Sequence, residues 1–166
     1  FSASAWCVAG LALNADVAVR SRSRGARTIP LASFFRGAMT TAMEDDEMLV
    51  ELQLPILARH ARWGFSEIGR RGFAWPQAVA IAVYERDEDE MQNVRIAVGG
   101  IEGAAVRVRE AEKVLERAQP GRRVFREAAE AAAAAVRPVH DPRDDADWRR
   151  DLTRASVVRA LDETMS

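Results

Sequence analysis

Nucleophilic catalysis needs a thiol or hydroxyl beside a base, and this sequence holds one cysteine, Cys7, and two histidines, His60 and His140. Neither histidine stands in a motif: His60 follows a strand that ends in proline, and His140 lies in the loop between Pro138 and Pro142. The histidines are too far apart for a local ligand pair, and a lone cysteine supplies neither an internal disulfide nor a zinc or iron centre. The acidic runs Glu44-Asp45-Asp46-Glu47 and Asp87-Glu88-Asp89-Glu90 carry enough charge for a hard cation. They lack the glycine and the ligand spacing of a calcium loop, and read as solvated turns. The residues predict no catalytic group and no metal site in this chain.

The elements that would carry any other site start from ordinary globular material. The chain has 166 residues, 48% hydrophobic and 30% charged, enough for one soluble domain or two small ones. A net charge of −1 leaves no field that would favour nucleic acid or an anionic membrane surface. Of the 24 basic residues only Lys113 is a lysine, and alanine is abundant, a bias of base composition in the source genome rather than of function. The apolar stretch 3–19 is broken by Asn14 and Asp16 and lacks a basic leader, so neither a signal peptide nor a membrane span is expected. One cysteine suits a reducing cytoplasm. The sequence opens on Phe1 rather than Met and reads as a fragment, or as a chain with residues before it.

Apolar spacing predicts a helix over 6–13, a strand over 16–21, a turn at Ser23-Arg24-Gly25, a returning strand over 27–30 and a short helix over 31–35. Residues 47–54 alternate, with Met48, Val50, Leu52 and Leu54 set against Leu49, Glu51 and Gln53, and Pro55 ends the strand. Strands over 63–71, 77–85 and 94–98 form an antiparallel meander of three. Everything after Val106 reads as helical, over 107–118, 124–136 and 147–163, with Asp144, Asp145 and Asp147 at the positive end of the last helix. Sheet first and helices after is an α+β order rather than βαβ alternation. The alanine run 128–135 is helix of high propensity.

Five stretches, in shared order and spacing over nearly the whole chain, carry a family resemblance. They are Thr28-Ile29-Pro30 with Phe34-Phe35-Arg36-Gly37 and Thr40-Thr41; Asp46-Glu47-Met48-Leu49 running to Leu52-Gln53-Leu54-Pro55; Gly64-Phe65 through Arg70-Arg71; Arg95-Ile96-Ala97-Val98-Gly99-Gly100; and Arg149-Arg150-Asp151-Leu152 to Arg159-Ala160-Leu161. The chain resembles the C-terminal portion of the FAD-binding (medium) subunit of the molybdenum hydroxylases, the xanthine and carbon monoxide dehydrogenase type. The resemblance implies that residues 1–55 are the tail of the second lobe of the FAD-binding domain. Residues 56–166 would be a C-terminal domain with a three-stranded antiparallel sheet packed against a helical bundle. The family's glycine-rich FAD loops would lie before Phe1, so the chain alone is expected to bind FAD weakly or not at all.

The same resemblance names candidate cofactor contacts. Trp75 matches the position where relatives present an aromatic side chain to the isoalloxazine ring; the plainer reading is a loop tryptophan filling a crevice. The sequence departs from the family there, with Ala74 where aspartate is common and Pro76 where a small residue is usual. Leu49 matches an apolar residue against the flavin, and Ser66 a position where some relatives place a lysine near it; a strand leucine is ordinarily core and a strand serine ordinarily faces out. Arg70 and Arg71 resemble a basic pair before the flavin loop, suited to reduced flavin or to a neighbour's carboxylate, where the alternative is a solvated strand end.

The implied role is electron transfer within a cytoplasmic heterotrimeric oxidoreductase. Electrons would pass from the molybdenum cofactor of a large subunit, through 2Fe-2S clusters of an iron-sulfur small subunit, to FAD and an external acceptor. One cysteine cannot hold a cluster, so the molybdenum and iron belong to partner subunits. The alternative is a truncated module that does not bind flavin and serves as a structural or subunit-docking piece. A third reading is a helical subdomain with a small sheet and no ligand.

Overall fold

The computed structural model describes residues 4–37, 39–69, 76–140 and 145–166. The chain begins with helix α1 (Ala5–Ala12), capped by Ser4, whose hydroxyl accepts the Cys7 amide at 3.4 Å. Strands β1 (Asp16–Ser21) and β2 (Gly25–Pro30) form a hairpin, and Gly25, at φ +81°, takes a left-handed turn position that a side chain would strain. The short helix α2 (Leu31–Phe34) follows. Gly10 makes room for it: a Cβ there would sit 2.4 Å from Leu31 Cδ2. Strands β3 (Phe35–Gly37) and β4 (Thr40–Thr41), which the sequence pattern does not predict, pair with each other. Strand β5 (Glu47–Gln53) returns to β1 and closes an antiparallel sheet in the order β2-β1-β5.

A second antiparallel sheet is built from β6 (Ala61–Ile68), β7 (Ala78–Asp87), β8 (Glu90–Gly99) and β9 (Val106–Arg107), in that order. Helices α3 (Arg109–Leu115), α4 (Arg122–Ala135) and α5 (Ala146–Glu163) complete the chain. Asp145 caps α5 by accepting the Trp148 amide at 2.6 Å.

Strand β7 explains the layering. From Ala78 to Tyr84 it is apolar without a break, because both of its faces are covered. Ala78, Ala80, Ala82 and Tyr84 pack with Leu115, Phe125 and Leu161 of the helices in one core. Val79, Ile81 and Val83 pack with Val8, Leu11, Val17 and Val19 of the N-terminal segment in another. Small residues on the helix side bring α5 close: a Cβ on Gly64 would lie 1.9 Å from the Ala160 carbonyl oxygen. The alanine run of α4 supplies its buried face through Ala128, Ala129, Ala132 and Ala133.

The α+β architecture is the expected one, with three local corrections. The second sheet has a fourth strand rather than three, because Val106 and Arg107 pair with Val98 and Ala97, and the Val108 amide donates to the Ile96 carbonyl at 2.8 Å. The first helix of the helical layer is therefore shorter than 107–118. It also ends early: Arg117 adopts φ 62°, donates to the Met91 carbonyl at 2.8 Å, and Met91 donates back to Ala118. The third correction is in β5. Ala18 faces Glu51 but Val19 faces Leu49, so Val50 is an extra residue and the alternation changes sides at that bulge. Met48, Val50, Leu52 and Leu54 do not share one face.

Candidate functional site

The bulge decides where Leu49 points. Residues directly opposite in an antiparallel ladder share a sheet face. Leu49 lies opposite Val19 and Leu52 opposite Val17, so both sit on the face that carries the buried valines of the N-terminal core. Val17 and Val19 are 1% and 0% exposed, yet Leu49 and Leu52 remain 46% and 42% exposed. Cover runs out at the β5 edge, and a flat apolar surface is left in the open.

The second sheet shows the same feature from the other side. Trp63 lies opposite Val83 and Phe65 opposite Ile81, so both belong to the face that encloses this same core. They are exposed, Trp63 by 61%. Both edge strands bounding the N-terminal core thus leave apolar side chains bare.

Ser66 is placed differently. It lies opposite Ala80 and two residues from Gly64, on the face beneath α5, and is buried. The end of α5 also holds this strand edge, since the Phe65 amide donates to Glu163 Oε2 at 2.6 Å. Leu49 and Ser66 consequently belong to different cores. Trp75, Arg70 and Arg71 lie outside the described residues. The strands on either side of them are joined by the Gln77 amide, which donates to the Ile68 carbonyl at 2.8 Å.

Charged groups do structural work that sequence spacing hides. The Asp46 carboxylate accepts from the Ser21 hydroxyl at 2.6 Å, from the Ser23 hydroxyl at 3.1 Å and from Arg24. The Ser21 hydrogen bond, chiefly, holds its carboxyl below the ordinary range. Glu47 pairs bidentately with Arg27 at 2.6 and 2.7 Å and accepts the Glu44 amide, which lowers its carboxyl to about 2, the Arg27 hydrogen bond contributing most. The end of the first acidic run is thus tied down rather than a solvated turn. No local pattern could have found these partners, which are 20 or more residues away for Arg27, Arg24 and Ser21. Glu112, buried, accepts from the Ile96 amide at 3.0 Å and from Arg107 Nε at 2.5 Å, and joins α3 to β8 and β9.

Among the described residues no group of three or more His, Cys, Asp or Glu could hold a metal ion. The Gly99-Gly100 pair has a packing reason: Gly100 has φ +84°, and a Cβ there would meet the Gln77 carbonyl oxygen at 2.7 Å. Leu49 and Leu52 are the apolar side chains that this sheet face leaves half open. No helix among them is long and apolar enough to cross a membrane.

The β6-β7-β8-β9 sheet thus has the helical layer on one face and the N-terminal segment on the other. Residues 63–164 match the family model of the CO dehydrogenase flavoprotein C-terminal domain, and the chain belongs to that family. Residues 2–57 match the model of the FAD binding domain in molybdopterin dehydrogenase. The chain is 32% identical to the nicotine 6-hydroxylase medium subunit of Paenarthrobacter nicotinovorans over 98% of its own length and 56% of that protein's. It superposes with a TM-score of 0.89 and 28% identity on a carbon monoxide dehydrogenase from Hydrogenophaga pseudoflava, covering 95% of this chain and 55% of that one. The quinoline 2-oxidoreductase of Pseudomonas putida 86 superposes with a TM-score of 0.89 and 25% identity, over 99% of this chain and 57% of that one. The chain spans about half the length of the curated relatives it matches.

Proposed function

We propose that this chain is the C-terminal part of the FAD-carrying medium subunit of a cytoplasmic molybdenum hydroxylase, an oxidoreductase. Residues 1–55 complete the FAD-binding domain and residues 56–166 form the flavoprotein C-terminal domain, with the boundary in the exposed segment after β5. A molybdenum-cofactor large subunit and a 2Fe-2S small subunit are its partners. The observation that carries the reading is Leu49: a leucine on the core face of its sheet, beside a fully buried valine, yet half open to solvent. That is the environment expected of a side chain that packs against a planar cofactor.

This chain would help to hold FAD, which would supply electron transfer between the iron-sulfur clusters of a partner and an external acceptor. What this chain contributes is position and exclusion of water. Leu49 and Leu52 offer an apolar floor, and the resemblance assigns the stacking ring to Trp75. The resemblance assigns positive charge near the flavin to Arg70 and Arg71, and Ser66 lies buried on β6 beneath α5. The alternative is a truncated module that does not bind flavin and acts as a structural or subunit-docking piece.

The test is a visible-spectrum and fluorescence titration with FAD. It compares this chain alone, the complete nicotine 6-hydroxylase relative, and a chimera in which this chain replaces the matched part of that relative. The chimera should bind and quench FAD, and Trp75→Ala or Leu49→Asp should weaken it about tenfold or more. A chimera that folds but leaves FAD free, while the relative binds it, would overturn the flavin role and leave the docking module.

A further inference from the structure

Two of the stretches that carry the family resemblance, Arg95 to Gly100 and Arg149 to Leu161, supply no residue to the flavin reading. The structure brings them together. Strand β8 ends its ladder with β7 at the pair of Gly99 and Val79, and the turn that follows is held by three hydrogen bonds. Arg149 Nη1, near the start of α5, donates to the Gly100 carbonyl at 3.1 Å. The Val139 amide donates to the Ile101 carbonyl at 3.1 Å, and the Arg137 amide to Glu102 Oε1 at 2.7 Å. Ile101 itself is buried in the core on the helix side.

The near side of this turn meets the approach to β7. Gly100 lies so close that a Cβ on it would stand 2.7 Å from the Gln77 carbonyl oxygen and 3.3 Å from that of Pro76, and its φ of +84° is one that side chains rarely adopt. Gln77 in turn donates its amide to the Ile68 carbonyl at 2.8 Å, which joins the end of β6 to the start of β7. Trp75 immediately precedes Pro76 in the sequence. We propose that Arg149 and Gly100 are positioning residues for the cofactor contact of Trp75. The guanidinium on α5 holds the Gly100 carbonyl with a charge-assisted hydrogen bond, Gly100 backs the Pro76-Gln77 backbone, and that backbone sets where the segment bearing Trp75 rejoins the sheet. Every contact in this relay is made within the chain. The inference rests on the flavin reading of Trp75.

Amide hydrogen exchange on the chain and FAD titration of the chimera test it together. Arg149→Met should speed exchange at Gln77 by about fivefold or more while the Ile96 amide, held by Glu112, stays protected. Arg149→Lys, which keeps a charged donor, should recover most of the difference. In the chimera, Arg149→Met should weaken FAD binding by about fivefold or more and reduce the quenching of bound flavin, and Gly100→Ala, whose methyl pushes on the Gln77 carbonyl, should do the same. With Trp75→Ala already in place, the Arg149→Met change should cost less than about twofold, because the group being positioned is gone. Unchanged exchange at Gln77 overturns the proposal, and so does a loss of FAD affinity as large without Trp75 as with it. Exposure of the Ile96 amide in both Arg149 variants would make Arg149 a residue of the fold at large and overturn it too. Should the unaltered chimera leave FAD free, or hold it equally well after Trp75→Ala, the flavin reading falls and this inference with it. Should only the Arg149 and Gly100 variants lack effect, the flavin reading stands and this inference alone falls.

Discussion

The two cores of this molecule share one sheet and differ in how they end. On the helix side, β7 and β8 meet α3, α4 and α5, and the largest side chains, Tyr84, Phe125, Met91 and Leu161, are fully buried. On the other side, α1 and the β2-β1-β5 sheet cover the middle of the same strands but leave Leu49, Leu52, Trp63 and Phe65 uncovered at the margins. The first core is closed by this chain alone. The second leaves apolar side chains in solvent at its margins, and function is expected where a scaffold is left open rather than where it is complete.

The contrast can be broken by mutation. Phe125→Ala, in the closed core at 1% exposure, should cost about 3–5 kcal/mol in urea denaturation. Glu112→Ala strips Arg107 and the Ile96 amide of their buried acceptor, and should cost about 3 kcal/mol, with Glu112→Gln recovering part of it. Acid should act on the open half. The Glu47 carboxyl is lower in the folded chain, at about 2, than its ordinary value near 4.5, so its pairing with Arg27 is stabilising above the ordinary value. That stabilisation fades as pH falls from about 4.5 towards 2. Hydrogen exchange in β1 and β2 should rise over that window before β7 and β8 respond, and Glu47→Gln should flatten the dependence. Leu49→Ala should have the smallest effect, under about 1 kcal/mol, because half of that side chain is already solvated. A loss as large as that of Phe125→Ala would mean that the second core is closed after all.

Most of the closed half was legible. The unbroken apolar run 78–84, the alanine face of α4 and the aspartate at the start of α5 are local signals, and local signals fix strand, helix and cap. The open half was legible in its elements and not in its faces. A single bulge at Val50 reverses the side on which every later β5 residue lies, and nothing in the alternation of 47–54 marks it. Long-range pairs were equally invisible: Arg27 finds Glu47, and Glu112 finds the Ile96 amide, across separations that no motif spans. The candidate contacts came from resemblance, which ignores sheet faces. It grouped Leu49 with Ser66, although one stands at an open edge and the other beneath α5.

Hydrogen exchange of the chimera with and without FAD tests the account most directly. Binding should slow exchange in β5 around Leu49, by at least about tenfold at saturating FAD, and leave the amides of β7 and β8 unchanged. Protection spread evenly over both cores, or none at β5 while FAD is bound, would contradict the claim that the open core is where the flavin lies.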